Sequence, residues 1–345
     1  MKCKTVFDIN NFIEKQVAYT HIKNYLDNCN LNDIYKTTID SQTWDIRAAL
    51  PSVNSILDHI GFGGDTDEDD LKYYIINNLA YYEWHTTKVT YNVSEGLSNE
   101  LKLMSTDFKI HKDDLQHIPH DAFYVDLRNA HFRGIPGAFI SFHHFDNIFL
   151  VLISIWYTEE EALASYYNFG RIEDDYLHVV NIEDDVVYDD SDESHCITVT
   201  KDECQEQSLQ VSKFLFNLLN YIISEESDIE NNKSQTYKPQ SHKSSKTNKT
   251  RQTPTTPASY NVGFRIGPQL FAERKRYEEL CRHAGTGQRL RPHLRKAHWH
   301  RYWVGSDDNK HLTLKWVKPI YVNCDTPEMI DIVERGVKRN KDTNL

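Results

Sequence analysis

The sequence predicts an α+β fold, and three observations along its 345 residues support this prediction. Segments with apolar residues at helical spacing are followed by runs rich in β-branched and aromatic residues. A stretch of Ser, Thr, Asn, Gln, Lys and Pro then interrupts the chain. Beyond it, a short segment alternates His and Arg with aromatic residues. We therefore predict a mixed α/β N-terminal domain, a basic linker, and a small C-terminal module of one helix and an aromatic β-hairpin.

Four helices are predicted before the linker. Residues 6–26 carry apolar side chains at helical spacing, and residues 208–224 form an amphipathic to buried pattern. Residues 51–62 begin with a proline, which suits the first turn of a helix. Residues 67–85 begin with acidic side chains, which suit the positive end of the helix dipole. Between these helices, apolar and aromatic runs bounded by turn residues predict strands at 122–127, 137–145, 147–157, 176–182 and 196–200.

The net charge of −12 conceals two oppositely charged parts. Residues 233–345 contain 23 Lys/Arg and 10 Asp/Glu, whereas residues 1–232 contain 16 Lys/Arg and 41 Asp/Glu. This asymmetry indicates a C-terminal part that faces nucleic acid and an N-terminal part that faces something else. The alternative is that the two parts attract each other within the fold. Residues 173–193, with ten acids and no Lys or Arg, predict either a solvated loop or a docking surface for a basic peptide.

Composition divides the chain into four segments. Residues 1–225 form the acidic domain and residues 226–258 the flexible basic linker, which contains little that could pack in a core. Residues 259–323 form the basic helix-hairpin module, and residues 324–345 are a C-terminal extension. A helix is predicted at residues 266–284 of the module.

The hairpin is predicted from an alternating pattern. Along a strand, successive side chains point to opposite faces. From residue 297 to residue 304 this places His298, His300 and Tyr302 on one face and Trp299, Arg301 and Trp303 on the other. The returning strand places Leu312, Leu314 and Trp316 on one face and Thr313, Lys315 and Val317 on the other.

The residue types of the hairpin are compatible with three kinds of chemistry. A metal site built on the histidines is disfavoured because the neighbouring Arg and Lys side chains repel a dication, so we expect no metal and no cofactor. A metal-independent ribonuclease could use His298 and His300 as acid and base, with Arg291 and Arg295 stabilising the charged transition state. A binding surface could place cations on RNA phosphates and aromatic rings on bases. Its candidate residues are His293, Lys296, Trp299, Arg301, Tyr302, Trp303, Lys315 and Trp316. The histidines could also be only hydrogen-bonding residues at the rim of the hairpin.

Other classes of protein are excluded by what the sequence lacks. No stretch approaches ~18 uninterrupted apolar residues, so no membrane span is expected. The N-terminus lacks the apolar run of a signal peptide, and the six cysteines contain no C-x-x-C pair. We therefore expect a cytoplasmic protein with unpaired thiols.

The C-terminal module resembles a known family, the second family of type V-A anti-CRISPR proteins. The resemblance rests on the pattern R-P-H-x-R-K-x-H-W-H-x-Y-W-x-G at residues 291–305 and on Trp316, Pro319 and Y-V-N at residues 321–323. The segment YNVGFRIGPQLFAERKRYEE at residues 260–279 is similar to the family's entry into the helix.

The resemblance implies a partner and a function. Proteins of this family are carried by phages and other mobile elements. They are understood to recognise the nascent N-terminal segment of the type V-A effector nuclease and to cause loss of the mRNA that encodes it. On this basis we expect the nascent polypeptide, and the mRNA or ribosome, as partners in the cytoplasm of a host bacterial cell. We further expect the acidic domain to hold the peptide and the basic module to meet the RNA, so that removal of residues 233–345 leaves peptide binding intact.

Overall fold

The fold is taken from a computed structural model of the chain. It describes residues 5–41, 45–53, 68–104, 110–115, 117–146, 148–158, 162–173, 176–182, 201–232, 258–283, 292–306 and 310–324. The predicted strand at 196–200 and most of the predicted helix at 51–62 lie outside these residues, as does the core of the predicted linker.

The described strands form one large mixed sheet and two small sheets. The large sheet has the order β2-β7-β6-β5-β4-β3-β1-β9-β8, and the small sheets pair β10 with β13 and β11 with β12. The strands are β1 Val89–Val93, β2 Ile110–His111, β3 Ala122–Asp126, β4 Gly137–Phe145, β5 Ile148–Tyr157, β6 Ala162–Glu173, β7 Tyr176–Ile182, β8 Ile229–Asn231, β9 Ala258–Val262, β10 His293–Arg295, β11 His298–Val304, β12 His311–Val317 and β13 Ile320–Val322.

The described helices lie on both faces of the large sheet, whose strands are mostly antiparallel. The predicted α+β class is confirmed. They are α1 Val6–Ile13, α2 Val17–Leu26, α3 Leu31–Asp40, α4 Ile46–Ala49, α5 Glu68–Thr87, α6 Glu95–Leu103, α7 Lys112–Leu115, α8 Lys201–Ile223 and α9 Gly267–His283, with a 3-10 turn at Arg128–Ala130.

The large sheet combines an antiparallel meander with a parallel segment. Strands β3 to β7 pair antiparallel in chain order. Strand β1 pairs parallel with β3 on one side and with β9 on the other, and β8 closes that edge antiparallel to β9. The predictions for β3, β4, β5 and β7 are confirmed within a residue or two, because these strands are the ones with strong apolar or β-branched runs.

The middle strands are apolar on both faces because both faces are covered. In β5, Leu150 and Leu152 pack in the cluster under α1 to α5, whereas Val151 and Ile153 pack in the cluster under α6 and α8. The two layers of helices therefore enclose two hydrophobic cores, one on each side of the sheet.

The first predicted helix is two helices in the structure. A capping box between Thr5 and Asp8 starts α1, and the chain breaks after Ile13 before α2 begins at Val17. The break was missed because the apolar spacing continues through it. It reorients the second helix so that Tyr19 and Ile22 are as fully buried as Ile9.

The ends of the predicted linker are ordered parts of the sheet, which corrects the sequence prediction. Within residues 226–232, Asp228 is buried and residues 229–231 form β8. Ala258 begins β9, which lies between β1 and β8. The segment after the linker therefore starts inside the large sheet. Short polar strands such as these are held in the sheet by pairing with their neighbours, which a local pattern does not reveal.

Candidate nucleic-acid interface on the C-terminal hairpin

The predicted hairpin is present, with Trp299 opposite Trp316 and His300 opposite Lys315. The side chains of residues 298–302 alternate between the two faces as predicted. Trp299 and Arg301 are partly buried against the protein, and His298, His300 and Tyr302 are exposed. The hairpin thus has an inner face and an outer face, and the two faces have different chemistry.

The entry to the module is fixed by the buried carboxylate of Asp228. Its Oδ2 atom accepts hydrogen bonds from the backbone amides of Arg265 at 2.7 Å and Ile266 at 3.0 Å, just before α9. Gly263 has a φ of +71°, in the region that favours glycine. These contacts explain the GFRIG sequence as a turn that leads from the end of β9 into the helix.

Helix α9 packs closely against α6 through two glycines. A Cβ atom on Gly96 would lie 2.0 Å from the carbonyl oxygen of Gly267, and a Cβ on Gly267 would lie 2.4 Å from Oγ of Ser94. Ser94 is the N-cap of α6, and its hydroxyl donates to the carbonyl of Gly263 at 2.6 Å. The absence of side chains at these glycines lets the two helices begin side by side.

A buried carboxylate on α6 holds both α9 and the small β10–β13 sheet. Glu100 is 1% exposed, and its Oε1 atom accepts from Arg274 and from the hydroxyl of Tyr321, each at 2.9 Å. Burial raises the pKa of Glu100, and the guanidinium and the hydroxyl oppose that rise. Arg274 and Glu100 lie 174 positions apart in the chain, so no local pattern in the sequence reveals this contact.

The inner face of the hairpin packs against the hydrophobic core. The indole of Trp299 donates to Oδ1 of Asn217 at 3.0 Å. The indole of Trp316 donates to Sδ of Met104 at 3.4 Å and meets the ring of Tyr221 edge-on at 5.5 Å. Two residues of the predicted RNA-binding set are therefore occupied by packing and are not open to a base.

Arg301, a third member of that set, is also engaged from the inner face. Its guanidinium lies 2.5 Å from the carboxylate of Asp114, and the two side chains are 14% and 10% exposed. The pair joins the hairpin to α7. We therefore do not assign Arg301 to phosphate binding.

The outer face presents a pair of neighbouring rings and a cation. The rings of His300 and Tyr302 lie 4.3 Å apart at an angle of 36°. Tyr302 is 42% exposed on this face, whereas Trp303 alternates with it on the side of Trp299 and Arg301 but is 71% exposed near the tip. Lys315 lies on the same face and forms an ion pair of 2.7 Å with Glu226. The outer face therefore carries neighbouring aromatic and basic groups that are accessible to solvent.

Exposed basic residues also occur in and just after β10, the strand that precedes the hairpin. His293, Arg295 and Lys296 are all exposed, and the carbonyl of Lys296 lies 3.4 Å from Nδ1 of His298. Arg291, the remaining predicted catalytic residue, lies outside the described residues. The exposed members of the predicted site therefore lie along the chain from β10 to the tip of the hairpin.

The arrangement suits binding better than catalysis. His298 and His300 are two residues apart on one strand, so their backbones are separated by roughly 6.6 Å along it. Both side chains are exposed to water, where hydrogen bonds and charges stabilise a transition state much less than in an enclosed site. An exposed surface with rings and cations is the typical form of a site for single-stranded nucleic acid.

Neither a metal site nor a membrane-spanning helix is found in the described part of the chain. No three His, Cys, Asp or Glu side chains come together there in a way that could hold a metal ion. No helix among the described residues is both long enough and apolar enough to span a membrane.

One candidate site that the sequence did not predict is a cleft between α2 and α3. It has a volume of about 720 Å³ and is lined by polar side chains that include Asn24, Asp33 and Thr37. Exposed Asn, Asp and Thr on a helix carry no signal that distinguishes a binding site from an ordinary solvent face. Only the spacing of the two helices reveals the cleft.

Comparison with known proteins decides the family. The model of the AcrVA2-like family, anti-CRISPR type V subtype A2, matches residues 91–324. The chain belongs to the AcrVA2-like family. The matched range begins in β1 and ends after β13, so it contains the parallel segment of the sheet and the whole hairpin module. The helices α1 to α5 precede it.

The AcrVA2-like chain also aligns with a solved structure whose title is "Crystal structure of AcrVA2". The identity is 18%, the TM-score is 0.44, and the alignment covers 93% of this chain and 99% of that chain. A search of curated proteins finds no match.

Proposed function

We propose that this AcrVA2-like chain blocks the production of a type V-A CRISPR effector nuclease. In this proposal the protein recognises the nascent N-terminal segment of the effector and promotes loss of the mRNA that encodes it. The observation that carries the proposal is the family match, because it extends over both the large sheet and the hairpin module. The host bacterial cytoplasm is the compartment in which such a function would operate.

The outer face of the hairpin is the part we assign to RNA or to the ribosome. It offers the paired rings of His300 and Tyr302, and the exposed ring of Trp303 near the tip and the exposed cations Arg295 and Lys296 before the hairpin add to it. Rings of this kind stack on bases without strong sequence preference, and cations neutralise phosphates. This chemistry fits a surface that follows an mRNA.

The charge division is partly satisfied inside the fold, which supports the alternative explanation given above for the asymmetry. Among the described residues, four ion pairs join the acidic part before residue 233 to the basic part after it. They are Glu100–Arg274, Asp114–Arg301, Glu226–Lys315 and Asp228–Arg265. Removal of residues 233–345 would also remove β9 from the sheet. Point variants of the full chain therefore test the division of roles better than truncation.

The experiment is translation of a type V-A effector message in a purified, nuclease-depleted system, with full-length mRNA and capture of the nascent chain as readouts. The variants are His298→Ala/His300→Ala and Tyr302→Ala/Trp303→Ala, compared with wild type. Loss of message that requires the two histidines identifies the hairpin as a ribonuclease centre. Capture of the nascent chain with intact message assigns the decay to a recruited host enzyme. Absence of both capture and decay contradicts the proposal.

A second candidate function is a ribonuclease or RNA-binding protein without a peptide target. The exposed cations and rings of the hairpin favour it. This candidate predicts that RNA affinity falls steeply with salt concentration and that no peptide is preferred over another. Measurement of RNA and peptide affinities at several salt concentrations separates it from the first proposal.

A further inference from the structure

A groove between α6 and α9 has an apolar floor that is open to solvent. It has a volume of about 340 Å³ and lies along the two helices beyond their closely packed start. Leu103 of α6 and Phe271 of α9 form the floor, and Phe271 is 42% exposed. An apolar face between two helices, bordered by polar side chains, is the form of site that takes the apolar side of a third helix.

The charge of the lining restricts what can occupy the groove. Lys102 on the α6 side and Lys275 on the α9 side are both exposed. Arg274 also lines the groove, but its guanidinium is bonded to the carboxylates of Glu100 and Glu278. The two lysines therefore determine the charge that an occupant meets at the rim. They attract an acidic segment and repel a basic one.

The described chain ends beside this groove. The ring of Tyr321 on β13 lies 5.5 Å from the ring of Tyr277 on α9. The hydroxyl of Tyr321 and the guanidinium of Arg274 bind the same oxygen of Glu100, each at 2.9 Å. Cys324 follows three positions later and is the last described residue. The residues after Cys324 therefore start next to the part of α9 that borders the groove.

These next residues, which lie outside the described part of the chain, have the sequence of an amphipathic helix. Thr326 and Pro327 are typical of the N-cap and the first position of a helix, and Gly336 is typical of its end. The apolar side chains between them recur at the spacing of one helix face. They are Met329, Ile330, Ile332 and Val333.

The acidic residues of this segment suit the rim of the groove. At 3.6 residues per turn, Glu328 and Glu334 flank the apolar stripe on its two sides, and Asp331 lies opposite the stripe. The flanking carboxylates match the lysines that flank the groove. The lengths also agree, because residues 327–335 would form about 13 Å of helix and the α9 border of the groove is about 10 Å long.

We propose that residues 326–336 dock in the α6–α9 groove as an amphipathic helix that runs antiparallel to α9. The apolar stripe covers Leu103 and Phe271, and the flanking carboxylates lie near Lys102 and Lys275. Such a contact holds the end of β13 against both helices. The segment lies beyond residues 91–324, the range that the family model matches, and the proposal does not depend on the proposed function.

The test is hydrogen exchange of the full-length protein, followed by mass spectrometry of the fragment that contains residues 328–336. In the groove, Phe271→Gln is compared with Phe264→Gln, a ring that is 43% exposed and does not line the groove. In the segment, Val333→Ser is compared with Asp331→Ser on the opposite side of the stripe. The exchange of β3 to β5 in the same samples shows whether each variant keeps its fold.

We expect the wild-type fragment to exchange at least about 10-fold more slowly than an unstructured chain. Phe271→Gln and Val333→Ser should each remove most of this protection, because each takes an apolar group out of the contact. The two controls should exchange as wild type does, at both low and high protein concentration. An unprotected wild-type fragment, or protection that survives both Phe271→Gln and Val333→Ser, overturns the proposal. Protection that is lost on dilution also overturns it, since the segment would then dock on a second copy of the chain.

Discussion

The indole nitrogen of Trp299 on the hairpin donates a hydrogen bond of 3.0 Å to Oδ1 of Asn217 on α8. Asn217 is 1% exposed, and its own amide donates to the carbonyl of Leu101 on α6 at 3.1 Å. One asparagine thus ties the hairpin to two helices. This contact fixes which face of β11 points inward, and it therefore fixes the outward direction of His300 and Tyr302.

Replacement of Trp299 by Phe should destabilise the protein by about 1–3 kcal/mol, because Oδ1 of the buried Asn217 loses its donor. The matched control is Trp303→Phe on the same strand, which is 71% exposed and should change stability by less than about 0.5 kcal/mol. Urea unfolding followed by circular dichroism measures both. Equal effects of the two substitutions would show that the anchor has no energetic role.

Replacement of Arg274 by Met should cost about 3–5 kcal/mol, because it leaves the buried carboxylate of Glu100 without its cation. The double variant Glu100→Gln/Arg274→Met should cost less than the sum of the two single variants, since neither half of the ion pair is then left alone. Lys275→Met, at the exposed neighbouring position, is the control. Additive effects in this cycle would mean that the two residues do not interact.

His85 should make stability depend on pH. Burial, with smaller contributions from Lys88 and Lys23, lowers the pKa of His85 to about 4 from the ordinary value of 6.5. Between these values the unfolded chain binds the proton and the folded chain does not. The contribution of His85 to stability is therefore complete above pH 6.5 and is lost as the pH falls toward 4.

The loss between about pH 7 and about pH 5 should amount to about 2 kcal/mol. The His85→Leu variant removes the titrating group and should lose that much less stability over the same interval. Urea unfolding at both pH values measures the difference. An identical pH dependence in wild type and variant would exclude His85 as its source.

Replacement of Gly96 by Ala should separate α6 from α9. The new Cβ atom would lie 2.0 Å from the carbonyl oxygen of Gly267, so the backbone must shift. We expect a cost of about 1–3 kcal/mol, as for overpacking in a core. The control is Ala272→Ser on the exposed side of α9. Thermal unfolding reports the effect, and an unchanged midpoint for Gly96→Ala would contradict the close crossing.

The sequence predicted those elements whose pattern is local. Strands β4 and β5 follow from their long apolar runs, and the hairpin follows from alternation and a turn. Strand β9 was missed because residues 258–262 are mostly polar, and their burial depends on parallel pairing with β1, far away in the chain. Pairing between strands that are distant in the chain cannot be predicted from the local sequence pattern.

The candidate site was predictable in part. Alternation separated His298, His300 and Tyr302 from Trp299 and Arg301 correctly. It could not show that the second group is occupied by the core, because the partners Asn217 and Asp114 lie on helices distant in sequence. The α2–α3 cleft gave no signal at all, since its polar residues look like an ordinary solvent-exposed helix face.

The central claim is that the nascent peptide, rather than the RNA sequence, marks the message for loss. It is tested by two recoded effector messages translated in bacterial cells that express this protein. One message keeps the N-terminal amino acids with synonymous codons, and the other keeps the nucleotides but shifts the reading frame of the first codons. We predict that mRNA is lost from the synonymous message and spared for the frameshifted one. Loss of the frameshifted message, with the synonymous one spared, would contradict the claim and would assign recognition to the RNA.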